Sequence, residues 1–341
     1  MTSRRTQASA DPHPDPFAER KRVRTRRPLH LLGGRFHFES NSAELLRLVD
    51  WAYAGLPAHA LLARAPLFNV SLLLHGAASP RRMRTEPPEL TLVGGAGFLG
   101  GVAGAASFVT LAPAQGGALV AVARELLKSP YHARYELIEF AVFTLAARAQ
   151  QLIPLHAACV SLHDRAALVM GPSGAGKSTL ALHCLLQQLD FVAEDAVFVR
   201  ATGLLATGIA NFLHVCPDTL RWLSKQQAGV IRAAPRIRRR SGVRKFEVDL
   251  RRADYRLAAL PPRLAAAVFL SARSGGKSLL TRLSPADLRA RLAAAQPYAA
   301  RQPQWELFLA NMEMVGGYEL RRGRHPQEGA EAVHELLAAA E

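Results

Sequence analysis

The chain has 341 residues, 49% of them apolar and 7% aromatic, which allows one large or two modest domains of an Ala-, Leu- and Val-rich α/β protein. No apolar run approaches the roughly 18 residues that a membrane span needs, and Cys159, Cys184 and Cys216 lack metal-ligand spacing, so they read as buried, reduced thiols of a cytoplasmic protein. The net charge of +16 resembles a nucleic-acid signature until it is located: residues 1–28 hold eight Lys/Arg against three acids and residues 232–245 hold seven against none, which leaves the remainder near balance.

Residues 1–28 lack apolar periodicity and predict a disordered basic tail; no apolar h-region follows the arginines, so no signal peptide is expected. Residues 29–130 are expected to form an N-terminal α/β part of the same body as the rest. Arg35–Glu39 alternates like a strand, and Ser40-Asn41-Ser42 can cap a helix with Leu45, Leu46, Leu48 and Val49 on one face, ended by Gly55-Leu56-Pro57. Phe68–Leu74 and Glu89–Val93 read as strands. Gly95, Gly97 and Gly100 match a dinucleotide-binding spacing, but the strand pattern Phe108–Leu111 follows where a helix is required, so the segment reads as a hairpin or loop. Val120–Leu127 fits a strand or a short helix. Tyr131–Gln150 fits a helix with Leu137, Phe140, Ala141, Thr144 and Leu145 on one stripe, and Leu152–Leu162 a strand.

The most informative stretch is GPSGAGKST, Gly171 to Thr179. The apolar run Ala166–Met170 precedes it and an apolar helix pattern follows, the strand–turn–helix order of a phosphate-binding loop. Gly171, Gly174 and Gly176 let the backbone N–H groups of Ser173, Ala175 and their neighbours curl toward one volume, to which the opening helix adds its positive end. Lys177 supplies a full charge to the outer phosphates, and the Ser178 hydroxyl can ligate Mg²⁺. Phe191–Val199 then delivers two adjacent carboxylates, Glu194 and Asp195, inside an apolar run, where ionised acids are costly unless they meet a cation, a metal or a proton; a solvated turn is the plainer alternative. One helix spans the about sixteen residues from Lys177 to Glu194, so the acids can return to the phosphate end of the sheet. His156 lies on the strand leading to the loop, where such a residue is more usually a hydrogen-bonded core histidine.

Leu155 to Val199 resembles the core of the HPr kinase/phosphorylase family and its relatives: a histidine-bearing strand, a short turn, a strand, the phosphate loop, a helix, and an apolar strand ending in paired acids. The likeness implies a PEP-carboxykinase-like P-loop kinase fold with a mixed central sheet over residues 131–341. It implies ATP and Mg²⁺ as cofactors, with Lys177 on the β- and γ-phosphates. It also implies Ser178, Glu194 and Asp195 around the metal, Asp195 as base on an acceptor serine, and His156 beside the acids. Gly171, Ser173, Gly174, Ala175, Gly176 and Thr179 would complete the nucleotide contacts. Pro172 stands where HPr kinases commonly carry an acid, Glu194 where they carry aspartate, and their glycine-rich segment after the acids is not found here. The likeness is therefore closer to related kinases found beside peptide-modification systems, including those that phosphorylate a serine of a lasso-peptide precursor. A homo-oligomer is a further implication of the family.

Beyond this core, Cys216-Pro217-Asp218 leads into a helix, the basic run Arg232–Lys245 precedes a strand at Phe246–Leu250, and Leu264–Ser271 is a buried strand. The basic run is expected either to close over ATP or an acidic substrate, with Lys245 near the phosphoryl group, or to be a mobile solvated loop; it lacks the interleaved aromatics of a nucleic-acid surface. Ser274–Ser278 mimics a phosphate loop but lacks its first glycine and reads as a hairpin turn. Ser284-Pro285 opens a helix, and Trp305–Val315 and Ala330–Ala339 are further helices. The sequence thus predicts an ATP- and Mg²⁺-dependent serine kinase acting on a small protein or peptide. A nucleotide-binding regulator or hydrolase without an acceptor is the alternative, ahead of a nucleic-acid-binding module.

Overall fold

A computed structural model describes residues 25–339, except 77–87, 105, 253, 276 and 277. The first half is a seven-stranded mixed sheet. Its strands are β1 (Thr25–Leu31), β2 (Gly34–Ser40), β3 (Leu67–His75), β4 (Leu90–Gly95), β5 (Phe98–Ala103), β6 (Ser107–Ala112) and β7 (Gly117–Ala123), in the order β1-β2-β3-β7-β6-β5-β4. Alternation in β2 turns Phe36 and Phe38 inward, and Phe36 packs on Phe68 of β3 with ring centroids 4.7 Å apart. Helix α1 (Ala43–Tyr53) lies over this face because Leu45, Leu46, Leu48 and Val49 form one buried stripe; the Ser42 hydroxyl accepts from the Glu44 and Leu45 N–H groups as its cap.

The expectations for this half are met in part. Thr25–Pro28 is part of β1, paired with Phe36–Ser40's strand, and not tail: Arg26 is held by Glu39 at 2.6 Å and Arg27 by Asp50 at 2.8 Å, so the charge run conceals an edge strand. The rest of the expected tail, residues 1–24, lies outside the described residues. The glycine-rich Gly94–Gly101 segment is a hairpin, its turn made by Ala96 and Gly97 at φ of 49° and 80°. Val120–Leu127 is both of the expected structures in turn, the end of β7 and then a 3₁₀ turn, Arg124–Lys128. The helix at Tyr131–Gln150 is composite: α2 (Pro130–His132), π turns over Ala133–Glu139, and α3 (Phe140–Gln150). Its Leu137, Ala141 and Leu145 join the core of the first sheet, although the sequence assigned the segment to the loop-bearing half.

The second half is built on a nine-stranded mixed sheet. Along its main path the order is β11 (Asp190–Ala193), β9 (Ala158–Leu162), β10 (Arg165–Met170), β17 (Arg263–Ser274), β13 (Leu205–Gly208), β12 (Val197–Arg200) and β8 (Ile153–Leu155). Strand β19 (Gly317–Arg322) runs parallel to β17, and β18 (Leu280–Arg282) pairs with β19. The single strand expected over Leu152–Leu162 is broken at His156-Ala157: β8 pairs with β12 and β9 with β10 and β11, so those two residues carry the chain from one edge of the sheet to the strand next to the other edge. Strands β17 and β18 do not form the hairpin expected around Ser274–Ser278, since β19 lies between them; Gly276 and Lys277 themselves lie outside the described residues.

Helices α4 (Lys177–Leu186) and α8 (Pro326–Ala338) cover one face of this sheet, and α6 (Pro285–Ala295) and α7 (Trp305–Val315) the other. A small third sheet, β14 (Phe212–Val215), β16 (Arg244–Asp249) and β15 (Arg236–Arg238), stands beside α4, with α5 (Lys225–Arg232) leading into β15. The molecule is a mixed α/β protein, and no helix among the described residues is long and apolar enough to cross a membrane.

Candidate active site

The loop Gly171–Gly176 leaves β10, which lies between β9 and β17, and enters α4 at Lys177. Gly174 and Gly176 take φ of 81° and 103°, a backbone that side chains resist, and a Cβ at either would meet nothing within 4 Å. The concavity is therefore made by backbone and left open, at the positive end of a ten-residue helix. Ser173 lies exposed on its rim, and the Ala175 N–H donates to Pro172 O at 3.1 Å. The Lys177 ammonium folds across the loop and donates to Gly171 O at 2.7 Å. Burial lowers its pKa, with Asp195 and Glu194 working against that shift. The Thr179 hydroxyl is hydrogen-bonded to that of Thr219 at 2.9 Å.

The paired acids occupy the turn between β11 and β12, but the turn is not solvated. Glu194 is 5% exposed. Its Oε1 accepts from the Ser178 hydroxyl at 2.5 Å, and its Oε2 accepts from the His214 backbone N–H at 2.9 Å and from His214 Nδ1 at 2.6 Å. Asp195 Oδ2 accepts from Arg239 Nη2 at 2.7 Å. Burial works to raise the Asp195 pKa, yet Arg239 holds it below the usual carboxylate range. Lys245 Nζ is 3.9 Å from Glu194 Oε1. His156, in the break between β8 and β9, is exposed; Nδ1 donates to the Asp195 backbone carbonyl at 3.2 Å, while Gln296 brackets its own N–H and carbonyl. The fold thus brings Lys177, Ser178 and Glu194 together, turns the Asp195 carboxylate to an arginine, and places His156 on the backbone of the acid turn.

Four further charged residues were not anticipated. His214, on β14, bridges Glu194 and Glu247 of β16, whose Oε1 is 3.2 Å from Nε2. Burial alone would lower the His214 pKa, but the two carboxylates lift it to about 9, so the ring is a cation at neutral pH. Glu247 Oε1 also accepts from Arg134 at 2.6 Å. Arg239 sits at the corner of the β15–β16 hairpin. The sequence does carry a trace of the first two: a lone His in Phe212–Val215 and a lone Glu in Phe246–Val248 occupy apolar strands, the same anomaly that exposed Glu194. The basic run is a pinned hairpin and not a mobile loop, since Arg239, Arg240 and Lys245 meet Asp195, Glu136 and Glu194.

The donor set fits Mg²⁺, which takes hard oxygen ligands, commonly one or two carboxylates with the rest from phosphates and water. Ser178 and Glu194 supply a hydroxyl and a carboxylate at the mouth of the loop. Among the described residues no three His, Cys, Asp or Glu side chains converge as a dedicated metal cage.

No protein-family model matches the chain, and no curated protein matches it. Among solved structures it is similar to the HPr(Ser) kinase/phosphatase from Coxiella burnetii, at 12% identity and a TM-score of 0.25, over 53% of this chain and 94% of that one. That likeness is too slight to argue from.

Proposed function

We propose that the chain is an ATP- and Mg²⁺-dependent kinase of the PEP-carboxykinase-like P-loop class that phosphorylates a serine on a small protein or peptide. The observation that carries this reading is the 2.5 Å hydrogen bond from Ser178, at the start of α4, to the buried Glu194. It joins a backbone phosphate cradle to a carboxylate delivered from a separate strand, which a chance glycine-rich turn would not do. The loop N–H groups and Lys177 bind and orient the phosphates, and Ser178 and Glu194 would hold the metal, whose charge offsets that of the transferring group. Asp195 takes the acceptor proton.

A second reading, nucleotide binding or hydrolysis without an acceptor, is favoured by one feature: the Asp195 carboxylate is occupied by Arg239. Incubation with γ-labelled ATP and Mg²⁺, with and without peptides encoded by neighbouring reading frames, separates the two. The kinase reading expects a peptide to gain the mass of one phosphate. Lys177→Ala should abolish nucleotide binding, and Asp195→Asn should retain it while transfer falls by at least about 10²-fold. Transfer at the wild-type rate in Asp195→Asn would remove Asp195 as base. ATP turnover that forms no phosphopeptide would establish the second reading.

A further inference from the structure

The engaged state of Asp195 points to its partner. Arg239 uses one of its five N–H groups on Asp195, through Nη2. Its Nε is buried and has no hydrogen-bond partner among the described residues. The same Nη2 lies 3.2 Å from His214 Nδ1. A guanidinium with a buried, unsatisfied donor is held in a resting place that is not its best one.

The backbone beneath it is fixed. The Arg239 N–H donates to Val243 O at 2.9 Å and the Gly242 N–H to Arg239 O at 2.9 Å, closing a tight turn with Gly242 at φ of 81°. Next to it, Arg240 clamps Glu136 and donates to Pro88 O at 2.6 Å. The Arg239 side chain lies beside the acid turn, where His214 Nδ1 touches Glu194 Oε2 and Glu194 Oε1 touches Ser178.

We propose that Arg239 is a catalytic residue that exchanges Asp195 for the terminal phosphate of a bound nucleoside triphosphate. This rests on the kinase reading above. In the resting protein the ion pair keeps the base out of use. When the third phosphate arrives, its oxygens take the Arg239 fork and Asp195 is released toward the acceptor. The serine Oγ then forms its bond to the γ-phosphorus as the bond from that phosphorus to the β,γ-bridging oxygen breaks. The hydroxyl proton passes to the Asp195 carboxylate, and the nucleoside diphosphate leaves with the bridging oxygen and its charge. Arg239 stabilises the equatorial oxygens during transfer. Lys245, the cation that the sequence suggested for this role, stays with Glu194.

The test is calorimetric titration with Mg²⁺ and either ADP or a non-hydrolysable ATP analogue. Wild type should bind the triphosphate more tightly than the diphosphate by about ten- to hundredfold, the worth of a charge-assisted hydrogen-bond pair. Arg239→Gln should bind ADP as wild type does and lose most of that preference, keeping only what Lys177 supplies. Arg236→Gln, on the same hairpin but stacked on Phe246, should keep it. Asp195→Asn, which frees the arginine, should tighten binding of the analogue and not of ADP, so the exchange stays testable even if Arg239→Gln fails to fold. A triphosphate preference that survives undiminished in Arg239→Gln, or an Asp195→Asn protein with unchanged preference, would overturn this inference and leave the kinase reading standing. Loss of most of the preference in Arg239→Gln, with no peptide phosphorylated by wild type, would support the Arg239 contact and sink the kinase reading. Absence of any nucleotide binding by wild type would overturn both.

Discussion

A buried histidine on α4 is expected to weaken the protein in acid. His183 is 4% exposed, its Nε2 has no hydrogen-bond partner among the described residues, and its ring meets that of His325 edge-on at 5.3 Å. Burial, helped by His325, pushes its pKa down to about 4. An unfolded chain takes up this proton near pH 6.5 and the folded one does not until about 4. The unfolded state therefore binds more protons between those values, and stability is lost as pH falls through that window, with the full loss reached below about 4. Thermal melts at pH 7.5 and 5.0 should show a smaller acid-induced fall in Tm for His183→Leu than for wild type; equal falls would show that this ring does not weaken the protein in acid. Residues of this kind are where the sequence was least legible. Lys177, Ser178 and Glu194 announce themselves by spacing within one strand–loop–helix unit. His214, Glu247, Arg134 and Arg239 come from four separate stretches, and their meeting depends on the pairing of β14 with β16 and on the composite helix, which no local period encodes.

At the scale of elements, the acid turn is held by close contact with a glycine. A Cβ on Gly208, in β13, would lie 2.4 Å from Ala193 Cβ, 2.9 Å from Val192 O and 3.1 Å from Ala196 O. Those three residues flank Glu194 and Asp195, so β13 reaches the turn only because its residue 208 has no side chain. Gly208→Ala should destabilise the protein by about 1–3 kcal/mol through overpacking, read as a lower urea midpoint with an unchanged denaturant slope; an unchanged midpoint would mean that the turn relaxes freely. The same strands show why element boundaries were harder to read than element types. Leu152–Leu162 is mostly apolar, and its pattern does not show that it passes from one edge of the sheet to a strand near the other. Only His156, the exposed residue in the run, stands at the break. By contrast α1 was legible to its cap, because Ser42 and the leucine stripe carry both signals in adjacent residues.

At the scale of the whole molecule, the two halves are sewn together by buried polar contacts. His59 reaches Thr207 and Ala258 O, each at 2.8 Å, and Asn211 donates to Ala52 O at 2.7 Å. A further tie is Arg134, 1% exposed, on the composite helix of the first half. Its guanidinium lies 4.3 Å from the Trp51 ring centroid and 4.6 Å from that of Phe212, and it donates to Glu247, the carboxylate that also holds His214. Removing one member of such a pair strands the other as a buried charge. Arg134→Met should therefore destabilise the protein by about 3–5 kcal/mol. Glu139, 3.2 Å away, is the other carboxylate on Arg134, so neutralising Glu247 at the same time removes part of that penalty, and Arg134→Met with Glu247→Gln should lose less than the sum of the two single changes, by about 1–3 kcal/mol. Because this tie leads through His214 to Glu194, the halves should also unfold together. Tryptophan fluorescence, which reports Trp51 in the first half and Trp222 and Trp305 in the second, should give one urea transition that coincides with far-UV circular dichroism. Additive losses in the double variant would show Arg134 and Glu247 to be energetically independent, and two separated transitions would show that the first sheet folds apart from the phosphate loop.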